Sequence, residues 1–296
     1  MENRKMKVSY YPGCSLEVTA RPYNLSCRQV CSALEVELAE VPEWLCCGSS
    51  AGLKMDRLLS LSLAAKNLAL IEKQKLAEVL VPCPFCYRRL LSAQDEIGQD
   101  RKTGETVQGI IETTLKAHLT IQNSVEFFRN TVGLEALKTK TVKPLKGLKV
   151  IPYYGCYLVK PRQVIHFDDS ENPTSMDDIL RALGAEVLEW DFKTECCGAS
   201  LSLSKTEKVL ELSGRLLKEA VWKGADAVVV ACQLCQSNLD MRQGEIWKAA
   251  RQNHHLPILY ITQLMGLALG LSPKDLGLNH HLVDPWPILK ERGLLS

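Results

Sequence analysis

Apolar and polar positions follow one another in the same order twice along the chain. Lys7 to Tyr11 reads as a strand that stops at Pro12-Gly13, and Pro22 to about Ala33 reads as a helix with Pro22 in its first turn. Val36 to Val41 alternates apolar residues with acids and predicts a second strand. Asp56 to about Lys75 carries Leu58, Leu59, Leu61, Ala65 and Leu68 at helical spacing, with Asp56 placed to cap it. A short β-rich run, Glu78 to Val81, ends at Pro82, and the residues after Cys86 are helical again. From about Gly98 the pattern changes: a polar run, 99–108, leads to two expected helices at Ile110–Ile121 and Ser124–Leu134, then to a linker at Lys138–Gly147.

The second half repeats the plan. Leu148–Tyr154 matches the first strand, Gly184–Trp190 the second and Val228–Ala231 the third. A surface loop around His166–Met176, rich in Asp, Asn and Pro, is an insertion relative to the first half. Leu256–Leu271 is expected to form a final strand and a buried helix; with Gln263, Gly266 and Gly270 inside it, it is short for a bilayer span of ~20 residues. Strands alternating with helices predict parallel sheets joined by right-handed crossovers. The expected architecture is therefore α/β: two tandem similar domains related by a pseudo-two-fold duplication, each a small parallel sheet flanked by helices. Residues 1–145, with a helical insertion at about 98–137, would form the first, and 146–296 the second.

Composition narrows the function. The 296 residues carry 36 basic and 34 acidic side chains, and no one-sided field points to nucleic acid or anionic lipid. Met1–Lys7 is polar and lacks the apolar core of a signal peptide. Twelve cysteines without an export signal argue for the cytoplasm, where clustered thiols serve metal or redox chemistry rather than disulfide staples.

Ten of those cysteines fall into one frame that occurs twice. The first copy is Cys14, Cys46-Cys47-Gly48 and Cys83-Pro-Phe-Cys86; the second is Cys156, Cys196-Cys197-Gly198 and Cys232-Gln-Leu-Cys235. Every member lies just past the carboxyl end of a predicted strand, where ligands of parallel sheets bind. Thiolates suit zinc, copper(I) and iron–sulfur clusters. Five per copy exceeds the four that a structural zinc or an ordinary cubane cluster needs. An iron–sulfur site, a zinc site and metal-free thiol redox chemistry all remain open on spacing. Cys27 and Cys31, four apart on one helix, read as buried core thiols.

The chain resembles the cysteine-rich CCG-domain proteins, and among them the B-type subunits of CoB–CoM heterodisulfide reductases. The resemblance is carried by Tyr10-Tyr11-Pro12-Gly13-Cys14-Ser15, Cys83-Pro84-Phe85-Cys86-Tyr87, Tyr153-Tyr154-Gly155-Cys156, Asp168 to Pro173, Lys193 to Gly198 and Cys232 to Asp240. It implies two noncubane [4Fe-4S] clusters, one on Cys14, Cys46, Cys47, Cys83 and Cys86, the other on Cys156, Cys196, Cys197, Cys232 and Cys235. It further implies a small disulfide substrate held between them, reduced with electrons from two partner proteins. One of these is small and ferredoxin-like with [4Fe-4S] clusters, and the other, behind it, contains flavin. The other class of function is an electron-relay subunit feeding a dehydrogenase or an electron-bifurcating complex, and a zinc-stabilised scaffold is a third.

Absences shape the reading too. No CxxCxxCxxxCP run occurs, so electrons must come from a partner, and no GxGxxG follows the first strand of either half. Arg88, Arg89, Lys160 and Arg162 could meet anionic groups of a substrate or form a solvated helix face. His254-His255 and His280-His281 form no ligand frame and read as loop residues.

Overall fold

The computed structural model describes residues 6–116 and 118–295. Of the polar run Met1–Lys7, residues 1–5 lie outside them, as does Ala117 of the expected 110–121 helix. Among the described residues eight strands form two four-stranded sheets. The first contains β1 (Met6–Tyr10), β2 (Val36–Glu40), β3 (Glu78–Leu80) and β4 (Thr120–Gln122), ordered β2-β1-β3-β4. The second contains β5 (Lys149–Tyr153), β6 (Glu186–Val187), β7 (Ala227–Val230) and β8 (Ile258–Tyr260), ordered β6-β5-β7-β8. Every pairing is parallel: Tyr10 aligns with both Glu40 and Leu80, and Tyr153 with Val230. The fold is the α/β arrangement of two flanked parallel sheets that the sequence predicts.

Sequence and helix agree at several ends. Pro22 lies in the first turn of the helix Arg21–Ala33, and the Asp56 carboxylate accepts the Leu59 amide at 2.7 Å to cap Arg57–Lys73. Two segments differ from expectation. The polar run holds a helix, Arg101–Ile111, capped by Asp100, and Glu112 in the left-handed region (φ 52°) ends it. The expected helix 110–121 is therefore replaced by a loop and by β4, the fourth strand of the first sheet. Ile111, Leu115 and Leu119 imitate helical spacing, but the Leu115 amide bonds the Gln108 side chain at 2.9 Å rather than a helical carbonyl. The helical run that opens at Ser124 continues through a π turn at Phe127–Gly133 to Lys140, into the expected linker. In the second half, the expected strand Gly184–Trp190 shrinks to Glu186–Val187, because Trp190 turns inward and its indole N–H bonds the Pro152 carbonyl at 2.9 Å.

The halves share their interior. Each of the two hydrophobic clusters contains residues from both sheets: one joins Tyr11, Leu68 and Val79 to Tyr153, Val228 and Tyr260, the other joins Val8 and Val30 to Val150 and Leu264. The helix Arg21–Ala33 packs on Ile261–Ala268 of the other half, where Ser26 Oγ and Thr262 Oγ1 lie 2.6 Å apart. Cys27 and Cys31 are fully buried in this packing. Leu256–Leu271 is core, and no helix among the described residues is long and apolar enough to cross a membrane.

Glu126, just past β4, is a half-buried carboxyl facing the Tyr87 hydroxyl (3.1 Å), with Glu78 the nearby charge. Burial pushes it up to about 7 from 4.5, against the hydrogen bonds from Tyr87 and Asn123 and with Glu78 adding to the rise. The folded chain therefore holds a proton the unfolded chain releases, and stability falls as pH rises from 4.5 to 7, by at most about 1.4 kcal/mol per pH unit. In urea titrations, Glu126→Gln should gain on the wild type steadily across that window and no further above it; a constant difference from pH 4.5 to 8 would count against this account.

Candidate functional site

Both sheets reverse strand order between their first and third strands, β1/β3 and β5/β7, which opens a crevice at the carboxyl edge. Cys14 follows β1 and Cys83 follows β3, so the crevice brings them together; the turn after β2 delivers Cys46 and Cys47 to the same edge. The second sheet treats Cys156, Cys196, Cys197, Cys232 and Cys235 likewise. In each group three thiols form a buried inner wall (Cys47, Cys83, Cys86; Cys197, Cys232, Cys235). The outer pair is more accessible, with Cys14, Cys46 and Cys196 exposed and Cys156 half-buried.

The thiols contact one another in chains. Cys46 and Cys86 both hydrogen-bond Cys47, and Cys86 also bonds Cys83. In the second group Cys156 bonds Cys196, while Cys235 bonds Cys197 and Cys232. The proton donors Cys46, Cys86, Cys156 and Cys235 are pushed up by these bonds and by burial. Two acceptors move the other way: the bonds from Cys46 and Cys86 draw Cys47 down to about 4, and the bond from Cys156 draws Cys196 down to about 6. Among the described residues no three His, Cys, Asp or Glu side chains converge on a point the size of one metal ion. The ten thiols instead fall into two groups, one past the carboxyl edge of each sheet.

Glycines and tyrosines shape the basins in the same way in the two halves. Gly13 (φ 73°, ψ 162°) and Gly155 (φ 67°) have backbone conformations that side chains disfavour, and a Cβ there would lie 2.7 Å from Cys86 Sγ and 2.9 Å from Cys235 Sγ. The Tyr11 hydroxyl donates to the Leu45 carbonyl at 2.6 Å, one residue before Cys46; Tyr153 donates to Glu195 at 2.7 Å, one residue before Cys196. Asn67 holds both backbone groups of Leu45, and Asn238 holds the Cys197 carbonyl at 2.7 Å. A buried pair, Lys193–Asp177 at 2.8 Å, ties the inserted loop down, and the Lys193 carbonyl accepts the Tyr154 and Gly155 amides ahead of Cys156.

A seam joins the basins. Gln233, inside the second CxxC, donates to Cys83 Sγ at 2.9 Å. Phe85, inside the first CxxC, stacks on Tyr157, next to Cys156, with centroids 3.9 Å apart. The Tyr23 hydroxyl lies 3.4 Å from the Pro82 carbonyl and 3.2 Å from that of Ala231, the residues preceding the two CxxC turns, and its ring stacks on Tyr260. Beside Tyr260 a cleft of about 400 Å³ opens, walled by Val18, Arg21 and Leu25 from the first half and Gln236, His280 and His281 from the second.

Among the basic residues, Arg88 lies over the Tyr157 ring (4.7 Å), Lys160 pairs with Glu171 (3.3 Å) and Arg162 is solvent-exposed. Arg89 instead buries Nε and Nη2 on the Cys47 side of the first basin. His281 lies in a loop, as expected, but is half-buried there between Gln236 and Gln263, and burial lowers it to about 4. Gln233, Tyr23, Tyr260 and His281 carry no spacing signal of their own; the paired tyrosines before Gly13 and Gly155 do, since they recur in register with the cysteines.

Comparison with known proteins finds the same duplication. The CCG cysteine-rich domain model matches residues 8–90 and again 150–240. The 8-methylmenaquinol:fumarate reductase membrane anchor subunit of Wolinella succinogenes is 34% identical over 280 residues, covering 93% of this chain and 96% of that one. The B-type subunit of the ferredoxin:CoB–CoM heterodisulfide reductase of Methanosarcina mazei is 29% identical over 284 residues, 94% of each chain. A crystal structure of a hypothetical protein from Helicobacter pylori superposes with a TM-score of 0.73 at 14% identity; this chain spans 53% of it, and the likeness extends to the fold. With a match to the domain in each half, the chain belongs to the CCG cysteine-rich domain family.

Proposed function

We propose that this chain is the disulfide-reducing subunit of a heterodisulfide reductase-type complex, built of units 1–145 and 146–296. The observation that carries the reading is the pairing of two five-thiol basins across one seam, with a cleft opening beside it. The residues fit a polynuclear iron–sulfur group: ten soft donors, four of them already drawn below the ordinary thiol range, and a glycine cradle that a Cβ would fill in each basin. Cys14, Cys46, Cys47, Cys83 and Cys86 would hold one noncubane [4Fe-4S] cluster, and Cys156, Cys196, Cys197, Cys232 and Cys235 the other. Such clusters supply single electrons and thiophilic iron.

The reaction consumes two electrons and two protons and converts one disulfide into two thiols. The chain's part is to hold the disulfide: the cleft admits a small molecule, and Arg21 and His280 on its rim suit an anionic one. Electrons would arrive from a ferredoxin-like [4Fe-4S] partner and a flavin-containing partner behind it, in the cytoplasm where the thiols stay reduced. A second reading, an electron-relay subunit without substrate chemistry, is favoured by the likeness to the fumarate reductase subunit.

Three outcomes test the proposal. Anaerobically purified chain should contain iron and sulfide for two clusters, and its EPR spectrum should change when the CoB–CoM disulfide or another small disulfide is added. Clusters that ignore every disulfide would point to the relay. Cys46→Ala and Cys196→Ala should each abolish disulfide reduction, and full activity in either would sink the two-basin mechanism. Gly13→Ala should cost ~1–3 kcal/mol of stability and roughly half of the bound iron through displacement of Cys86, with Gly155→Ala acting equally on the other basin.

A further inference from the structure

The two basins are near copies in their glycines and tyrosines, but two positions break the repeat. The CxxC turns align Cys83 with Cys232 and Cys86 with Cys235, so Pro84 corresponds to Gln233 and Arg89 to Asn238. Gln233 is 2% exposed, and its amide crosses the seam to donate to Cys83 Sγ, leaving Oε1 buried without a partner. A ligating thiolate can only accept, so the amide presents its N–H to the first basin. Pro84, its counterpart, has no donor to return to the second. Arg89 keeps Nε and Nη2 buried and without hydrogen-bond partners; its charge interacts first with the Glu96 carboxylate and then with Cys47, the thiol it faces in the first basin. Its counterpart Asn238 is neutral and spends its amide on the Cys197 carbonyl (2.7 Å) and the Ser202 and Ser213 hydroxyls (3.0 and 3.1 Å). The charge that acts on the outer thiol of the second basin, Cys196, is the carboxylate of Glu195.

These differences act in one direction. N–H···S bonds and nearby positive charge favour the electron-rich, reduced state of a thiolate-bound cluster, and a nearby carboxylate disfavours it. Resting on the iron–sulfur reading, we propose that Gln233 and Arg89 are positioning residues that give the first basin the higher reduction potential, so that an entering electron settles on the Cys14–Cys86 side before the Cys156–Cys235 side. The two halves of the disulfide would then meet unequal electron donors, which gives an otherwise symmetric site a direction.

Anaerobic potentiometric titration followed by EPR tests this on the whole chain. The wild type should show two distinct midpoints, and Cys156→Ala, which removes a ligand of the second basin, should retain the higher one. Gln233→Leu and Arg89→Gln should each lower the higher midpoint alone, by ~59 mV for a tenfold change in the ratio of reduced to oxidised cluster. Arg89→Lys, which keeps the charge, should restore it. Coincident wild-type midpoints would overturn the proposal, as would variants that shift both midpoints or neither. Should Gln233→Leu fail to fold, the half-buried Arg89 variants decide the matter alone. A chain that takes up no iron refutes the iron–sulfur reading instead, a result separate from any shift in potential.

Discussion

Parallel pairing with a reversal of strand order is the constraint on which this molecule depends. A β2-β1-β3-β4 order sends successive crossovers in opposite directions from β1, so the backbone parts at the carboxyl edge between β1 and β3. Cys14 and Cys83 lie far apart in sequence but leave adjacent strands at the same edge. Any insertion in the crossovers is absorbed away from that edge. This is why the second half tolerates a longer connection after Cys156 while its five thiols still meet.

Burying thiols beside one another has an electrostatic cost that the structure meets locally. Burial disfavours thiolates, yet hydrogen bonds from Cys46 and Cys86 draw Cys47 below the ordinary range, and those from Cys156 and Cys235 do the same for Cys196 and Cys197. Around them Tyr11 and Tyr153 pin the CCG turns through single carbonyls, and Gly13 and Gly155 leave the volume next to Cys86 and Cys235 clear. The shape of each basin is thus set by the surrounding protein.

The seam gives the duplication its functional sense. Two separate domains would place their basins wherever a linker allowed. Here both hydrophobic clusters are shared between the halves, and Tyr23 touches the carbonyls ahead of both CxxC turns. The relative position of the basins is therefore set by core packing, which is dense and resists displacement. The symmetry is broken in side chains: Gln233 crosses the seam to Cys83 where its counterpart Pro84 has no donor, and Asn238 stands in the second half where the first has Arg89.

Much of this was legible in the residues. The alternation of strands and helices, the doubled cysteine frame and the placement of every member past a strand end follow from local patterns, because turn residues and strand runs are short-range signals. The burial of Cys27 and Cys31 was legible from their spacing on one helix face. The short strand Thr120–Gln122 was not, since three residues carry too little pattern and Ile111, Leu115 and Leu119 imitate a helix. Nor could sequence give the strand order, the shared core or the bond from Gln233 to Cys83, which joins residues 150 positions apart. The sequence by itself determined a doubled frame of five thiols; the tertiary structure decided that the two groups meet at one seam and differ in their surroundings there, because only long-range packing brings Gln233 from one half against the thiol of the other.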